Sequence, residues 1–192
     1  MRDIKAHWKG PFAWPRLSNG LPPSPKAPGL YLQTFEYQDG FIVYGAGLTR
    51  RTVARRLAEH TLNYMNGMYS ILDVNAVNTG NRREIWHGFF WKHPRSDEKE
   101  AAFEARKSEI QAAAQRQLNA FRIFVTDIGT QPRLLERLEA ATMGQLYKSQ
   151  PPFRNLPDRG VMLAPRRDAE EAILFTGTCE HRLFALPLAF EI

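Results

Sequence analysis

Cysteine is almost absent. Cys179 is the only one in 192 residues, so no disulfide can close within the chain and no cysteine cluster can hold zinc. Long hydrophobic runs are missing too: no apolar stretch approaches the roughly 20 residues that cross a bilayer, and a membrane partner is not expected. The opening residues MRDIKAHWKGPFAWP lack the apolar segment of a secretory signal, which makes the cytoplasm the expected location. Acidic charge is in deficit, with 20 Asp and Glu against 26 Lys and Arg, a formal charge of +6. That balance favours a polyanionic partner, because cationic side chains displace the counterions condensed on nucleic acid. What is present is a globular composition, 43% hydrophobic, in a chain long enough for a single domain with a real core.

Taken in order, residues 1–28 are rich in Pro, Trp and Gly and read as an irregular leader packed on the domain through Trp8, Phe12 and Trp14. Residues 29–36 alternate as a strand, with Leu30, Leu32 and Thr34 on one face and Tyr31, Gln33 and Phe35 on the other. A turn at YQDG returns the chain as a second strand over 40–45, and Thr49 is the expected N-cap of a helix from Arg50 to about Asn63. Val53, Leu57 and either His60 or Thr61 make its apolar stripe, with Arg50, Arg51, Arg55 and Arg56 around it. Four arginines at a helix start oppose the macrodipole, so local stability alone does not select them.

Residues 64–120 read as an insertion. YSILDVNAV suits a short strand or a helix, and REIWHGFFWKHP is dense in aromatics. His87 and His93 with Glu84 do not have the HExxH spacing and read as structural or substrate-facing. A helix over 96–119 is expected, capped by Ser96, with Ala102, Phe103, Ile110, Ala113 and Ala114 available for burial. FRIFVTDI, 121–128, predicts a buried strand. A helix opened by Thr130 or Gln131 follows, with Pro132 in its first turn. Residues 161–192 form an extension that reads as a terminal hairpin turning near Glu180. The expected fold class is α/β (α+β): a small, mainly antiparallel central sheet on 29–36, 40–45 and 121–128, flanked by helices.

Singly, the polar residues of these elements are unremarkable. Tyr31 and Tyr44 could be core tyrosines, Arg55 and Arg56 a solvated face, Asn155 a turn former, and Glu136 and Arg137 surface groups. Glu139 is different, because a carboxylate among apolar neighbours must find a partner. Together they form a pattern. Gly29-Leu30-Tyr31 is followed after eleven residues by Val43-Tyr44-Gly45; Arg56-Leu57 precedes His60 by one helical turn; Glu139 lies in ERLEAATMGQL; and Pro152-Phe153-Arg154-Asn155 follows. In that order the motifs resemble the GIY-YIG nuclease domain, over about residues 28–62 and 121–160. Tyr44 stands twelve residues before Arg56, two more than is usual in that family. The excess preserves strand parity, so Tyr44 should face the way residue 46 would.

The resemblance implies a metal-dependent endonuclease acting on DNA, with RNA left open. It also implies that Glu139 holds Mg²⁺ or Mn²⁺, that Tyr31 takes part in proton transfer and that Asn155 orients groups around the site. The residues themselves suit that chemistry. A carboxylate is a hard ligand for such cations, and Arg56 can pair with a phosphate bidentately. An imidazole or a phenolate beside arginines could deprotonate water. The site residues expected on this basis are Tyr31, Tyr44, Arg56, His60 and Glu139, with Arg50, Arg51, Arg55 and Asn155 contacting nucleic acid. Arg82, Arg83 and Lys92 of the insertion are candidates for substrate recognition. With one active site per chain, a double-strand cut needs a homodimer or two successive nicks. The alternative is a nucleic-acid binding module that keeps the fold without hydrolysis.

Overall fold

Strand β1, Arg2–Phe12, occupies the segment expected to be an irregular leader. Within its Trp, Pro and Gly content runs a strict alternation. Trp8 is buried and Ile4 and Ala6 lie partly buried beside it, while Lys5, His7 and Lys9 are exposed. The computed structural model describes residues 2–17, 19–91, 96–159 and 161–192. Lys92 and His93 lie outside the described residues.

The hairpin is as expected but longer: β2 spans Gly29–Tyr37 and β3 spans Gly40–Thr49, with Gly45 and Gly47 inside the second strand. Helix α1, Val53–Met65, starts later than expected. Thr52, not Thr49, is its cap, accepting a hydrogen bond from the Arg55 N–H. Arg50 and Arg51 therefore precede the helix, and only Arg55 and Arg56 face its positive end. The insertion contributes a small second sheet of β4, Ile71–Leu72, and β5, Glu84–Trp86, with α2, Val74–Asn78, between them. The helix expected over 96–119 is broken at Arg106 into α3, Asp97–Ala105, and α4, Lys107–Ala120. Ser96 caps the first, and Ala102 is exposed. Strand β6, Arg122–Thr126, and helix α5, Pro132–Lys148, follow as expected, Gln131 being the N-cap.

The two terminal segments, 172–179 and 182–192, do pair antiparallel, but not through a turn near Glu180. Strands β7, Ile173–Cys179, β8, Arg182–Phe184, and β9, Ala189–Glu191, join one sheet of order β8-β3-β2-β6-β1-β7-β9. β7 pairs in parallel with β1 and antiparallel with β9, while β8 pairs in parallel with the start of β3. Two residues link β7 to β8, allowing about 11 Å between strand ends, whereas five strand spacings in a flat sheet span about 24 Å. The sheet is therefore curled, and the His181 ring packs on Phe41 and Phe124 at the join. The fold is thus α+β with a mostly antiparallel, curled sheet and helices on it.

Each face of the hairpin has its own core. Tyr31, Phe35, Ile42 and Ile123 pack with α1 and α4 through Val53, Leu57, Ile110 and Leu118. Leu30, Leu32, Val43 and Phe124 pack with α5 through Leu135, Leu138 and Leu146. Truncating one such buried leucine to alanine costs about 2–5 kcal/mol. No helix among the described residues is long and apolar enough to cross a membrane.

Candidate active site

The site forms at a gap in the sheet. β8 covers only Gly40–Ile42 of β3, so the later part of that strand has an open edge. Opposite β2, Gly45, Gly47 and Thr49 stand across from Gln33, Tyr31 and Gly29, while Ala46 and Leu48 turn their N–H groups outward. Helix α5 satisfies both. Ala46 N lies 3.2 Å from Met143 Sδ, and the Leu48 N–H donates to the Glu139 carboxylate. Residues 139 and 143 are one helical turn apart and so reach the same edge. From the other face α1 presents Arg56 and His60, again one turn apart. The small residues Gly45, Ala46 and Gly47 leave the edge bare between them. Tyr31, Tyr44, Arg56, His60, Glu136 and Glu139 thus share one cleft of about 690 Å³.

Tyr31 is buried on β2, and its hydroxyl lies over Gly47, where a Cβ would overlap it. Tyr31 Oη is 3.1 Å from His60 Nε2, and His60 Nδ1 is 2.8 Å from Tyr69 Oη. Asn63 Nδ2 donates to the same Tyr69 oxygen at 3.1 Å. Burial holds the Tyr31 phenol above its ordinary range; Arg56 beside it pulls the other way and Glu139 adds to the rise. Burial brings His60 down to about 4, with Arg56 assisting and Glu59 opposing. The imidazole is therefore neutral at pH 7. Burial pushes Glu139 up to about 7, against the Leu48 N–H and Arg56, with Glu136 adding to the rise.

Tyr44 sits differently. A bulge opposite Gln33 and Thr34 interrupts the pairing of β2 with β3, so Gly45 faces Gln33 and Val43 faces Thr34. Tyr44 lies with Phe35 and Phe121 on the α1 side, while Ala46 lies on the α5 side. The parity expectation fails for this reason: the extra residue turns Tyr44 to the face opposite residue 46. The Tyr44 hydroxyl donates to Asp158 Oδ2 at 2.7 Å. Arg82 donates to Asp158 Oδ1 at 2.6 Å, to Glu84 and to the Leu156 carbonyl. His87 Nδ1 meets the second Glu84 oxygen at 2.8 Å. Burial, then the Asp158 charge, holds the Tyr44 phenol well above its ordinary range.

Other expected site residues are not brought to the cleft. Arg51 makes two 2.7 Å bonds to Glu59, which also lies 3.5 Å from Arg55 and 3.8 Å from Arg56. Arg50 is exposed ahead of the helix, and Asn155 is exposed in a 3-10 turn, Phe153–Asn155; neither lines the cleft. Arg82 is a structural cation at the base of the insertion, and Arg83 pairs with Asp73. Arg137, read as a surface group, is buried and donates to the Glu171 and Ile192 carbonyls. Glu136, read the same way, lines the cleft. Sequence reasoning missed Asn63, Tyr69 and Asp158. Asp158 lies in a Pro-rich turn, and its partner Arg82 is 76 residues away, so no local spacing marks the pair.

A divalent cation can be tested against this donor set. Glu139 faces the cleft with one hydrogen bond from Leu48 and a raised proton affinity, as befits a carboxylate short of positive charge. Among the described residues no group of three or more His, Cys, Asp and Glu stands ready for a metal. A hard cation here would rest on Glu139, with Glu136 and Asp158 also lining the cleft and water and substrate oxygens completing its shell, as Mg²⁺ and Mn²⁺ allow. Comparison with protein-family models, with curated proteins and with solved structures finds no match to this chain.

Proposed function

We propose that this chain is a metal-dependent endonuclease that hydrolyses phosphodiester bonds in DNA, with a site of GIY-YIG type. The observation that carries the reading is the convergence of Tyr31, Arg56, His60 and Glu139 on one cleft from three elements and both faces of the sheet. Arg56 is the cation placed to pair with the phosphoryl oxygens, its planar fork matching them bidentately. Both ring nitrogens of His60 are engaged by phenols, so Tyr31 is the group that hands protons to and from the cleft. Its oxygen is supported as a phenolate by Arg56 and by the imidazole. Tyr31 first releases its own hydroxyl proton to solvent through the cleft. The phenolate takes a proton from the water that attacks phosphorus, the bond to the leaving oxygen breaks as the new P–O bond forms, and the leaving oxygen takes a proton from solvent. Mg²⁺ or Mn²⁺ on Glu139 would neutralise the charge that develops on the phosphoryl oxygens.

The test is plasmid nicking in Mg²⁺ or Mn²⁺ by the wild type and Glu139→Ala. Cleavage by the wild type and none above background by the variant is the expected outcome. Equal cleavage by both would overturn the placement of the metal. A second reading, a binding module without hydrolysis, is favoured by one observation: the Tyr44 hydroxyl is committed as a donor to Asp158 on the cleft wall. Salt-sensitive DNA binding with no cleavage across a panel of substrates would favour it.

A further inference from the structure

The distances around His60 leave the direction of its two hydrogen bonds open, because a neutral imidazole donates from one nitrogen and accepts at the other. A third contact favours one direction. Asn63 Nδ2 can only donate, and it donates to Tyr69 Oη at 3.1 Å. With that oxygen already accepting, the Tyr69 hydroxyl proton turns to its other neighbour, His60 Nδ1, at 2.8 Å. The ring proton then sits on Nε2, which faces Tyr31 Oη at 3.1 Å.

We infer that Tyr69 and Asn63 are positioning residues that hold His60 as the Nε2–H tautomer, so that the imidazole donates to the Tyr31 oxygen instead of accepting its proton. Neither residue belongs to the motifs that mark the site in the sequence. Asn63 is on the last turn of α1, three residues after His60, and Tyr69 follows that helix in the connection to β4. Tyr69 is itself oriented by ring contacts with Tyr64 and Phe90, at 5.1 and 6.3 Å between centroids. The consequence for catalysis rests on the nuclease reading. In this tautomer His60 stabilises negative charge on Tyr31 and cannot remove its proton, so that proton has the cleft as its exit. With the opposite tautomer the Tyr31 hydroxyl would donate back to Nε2 and be unavailable to water.

The ¹⁵N resonances of the His60 ring report the tautomer directly, whatever the activity. In the wild type near pH 7.5, Nε2 should show the protonated-type shift and Nδ1 the unprotonated-type shift. Asn63→Asp is the sharper variant, since it is isosteric and replaces a donor with an acceptor. Tyr69 should then donate to Asp, accept from Nδ1–H, and exchange the two ¹⁵N shifts. Tyr69→Phe keeps the ring and removes the hydroxyl, and should leave the two tautomers mixed. A wild type with its proton on Nδ1, or an Asn63→Asp variant with unexchanged shifts, overturns the proposal. Where the wild type nicks DNA, both variants should lower kcat by about tenfold, with KM within twofold. An equal loss confined to KM would overturn the catalytic consequence while leaving the tautomer result intact. A wild type that binds DNA without cutting would overturn the nuclease reading and not the tautomer assignment.

Discussion

The two phenols of the cleft are neighbours with opposite supports. Tyr31 stands at the end of a neutral chain, His60, Tyr69 and Asn63, with a guanidinium beside its oxygen. Tyr44 stands at the end of a charged chain, Asp158, Arg82 and Glu84, with a carboxylate at its oxygen. Burial raises both phenols, but the nearest charge then acts in opposite senses: Arg56 draws Tyr31 down, and Asp158 drives Tyr44 further up. A phenol that donates to a carboxylate is locked as a donor, whereas one flanked by a cation and an imidazole can carry negative charge in passing. Two tyrosines on adjacent strands are equivalent in sequence and unequal in chemistry, because one is wired to a cation and the other to an anion.

The strongest way to break this contrast is to remove each hydroxyl in turn. Tyr31→Phe should lower the nicking rate by about 10²–10⁴-fold, the usual worth of a positioned proton-transfer group. Tyr44→Phe should lower it by less than about tenfold, through a slackened cleft wall, since it forfeits a hydrogen bond that folding made and chemistry does not use. Single-turnover rates on one supercoiled substrate decide between them. Equal losses would make the phenols partners in the reaction and erase the distinction.

Stability should show the reverse order. The side chains of Asp158 and Arg82 are 17% and 20% exposed, so removing one leaves the other poorly solvated. Asp158→Ala should cost about 3 kcal/mol, at the low end for a broken buried pair because Glu84 still partly neutralises Arg82. Tyr69→Phe, on the neutral side, should cost about 1 kcal/mol. Urea midpoints at pH 7.5 read both. A larger loss at Tyr69 would mean that the imidazole chain, not the ion pairs, holds the insertion to the sheet.

The contrast also marks what could be read from the chain. The alternation of 29–36, the Ser96 cap and the Pro132 helix start are local devices, and the structure has them where period and capping place them. β1 was hidden because Trp, Pro and Gly masked a clean alternation whose parallel partner, β7, lies about 170 residues on. β8 reads as half of a hairpin until the curl of the sheet brings β3 to it. On the Tyr31 side, Arg56 and His60 share one helix turn, a relation that spacing displays. On the Tyr44 side a bulge reverses the strand face and the supporting ions come from residues 82 and 158, which spacing cannot relate.

The gentlest test uses pH, because His60 and Glu139, both moved to values that ordinary buffers reach, lie on the Tyr31 side. Glu139 rises from 4.5 to about 7 on folding, so the folded chain holds that proton more tightly. Its contribution is fully present below pH 4.5 and lost as pH rises through 7. His60 falls from 6.5 to about 4, so its contribution is present above pH 6.5 and lost as pH drops through 4. Without metal, Glu139→Gln should therefore be more stable than the wild type at pH 8 by about 3 kcal/mol, the gap closing towards pH 4.5. The acid limb set by His60 should remain in that variant. Mg²⁺ should then stabilise only the wild type at pH 8 and narrow the gap by mass action. Denaturation midpoints at pH 5 and 8, with and without Mg²⁺, check both signs. A wild type as stable as the variant at pH 8 without metal would show that the carboxylate already has its counter-charge, and that Arg56 is bound to Glu139 rather than free for phosphate.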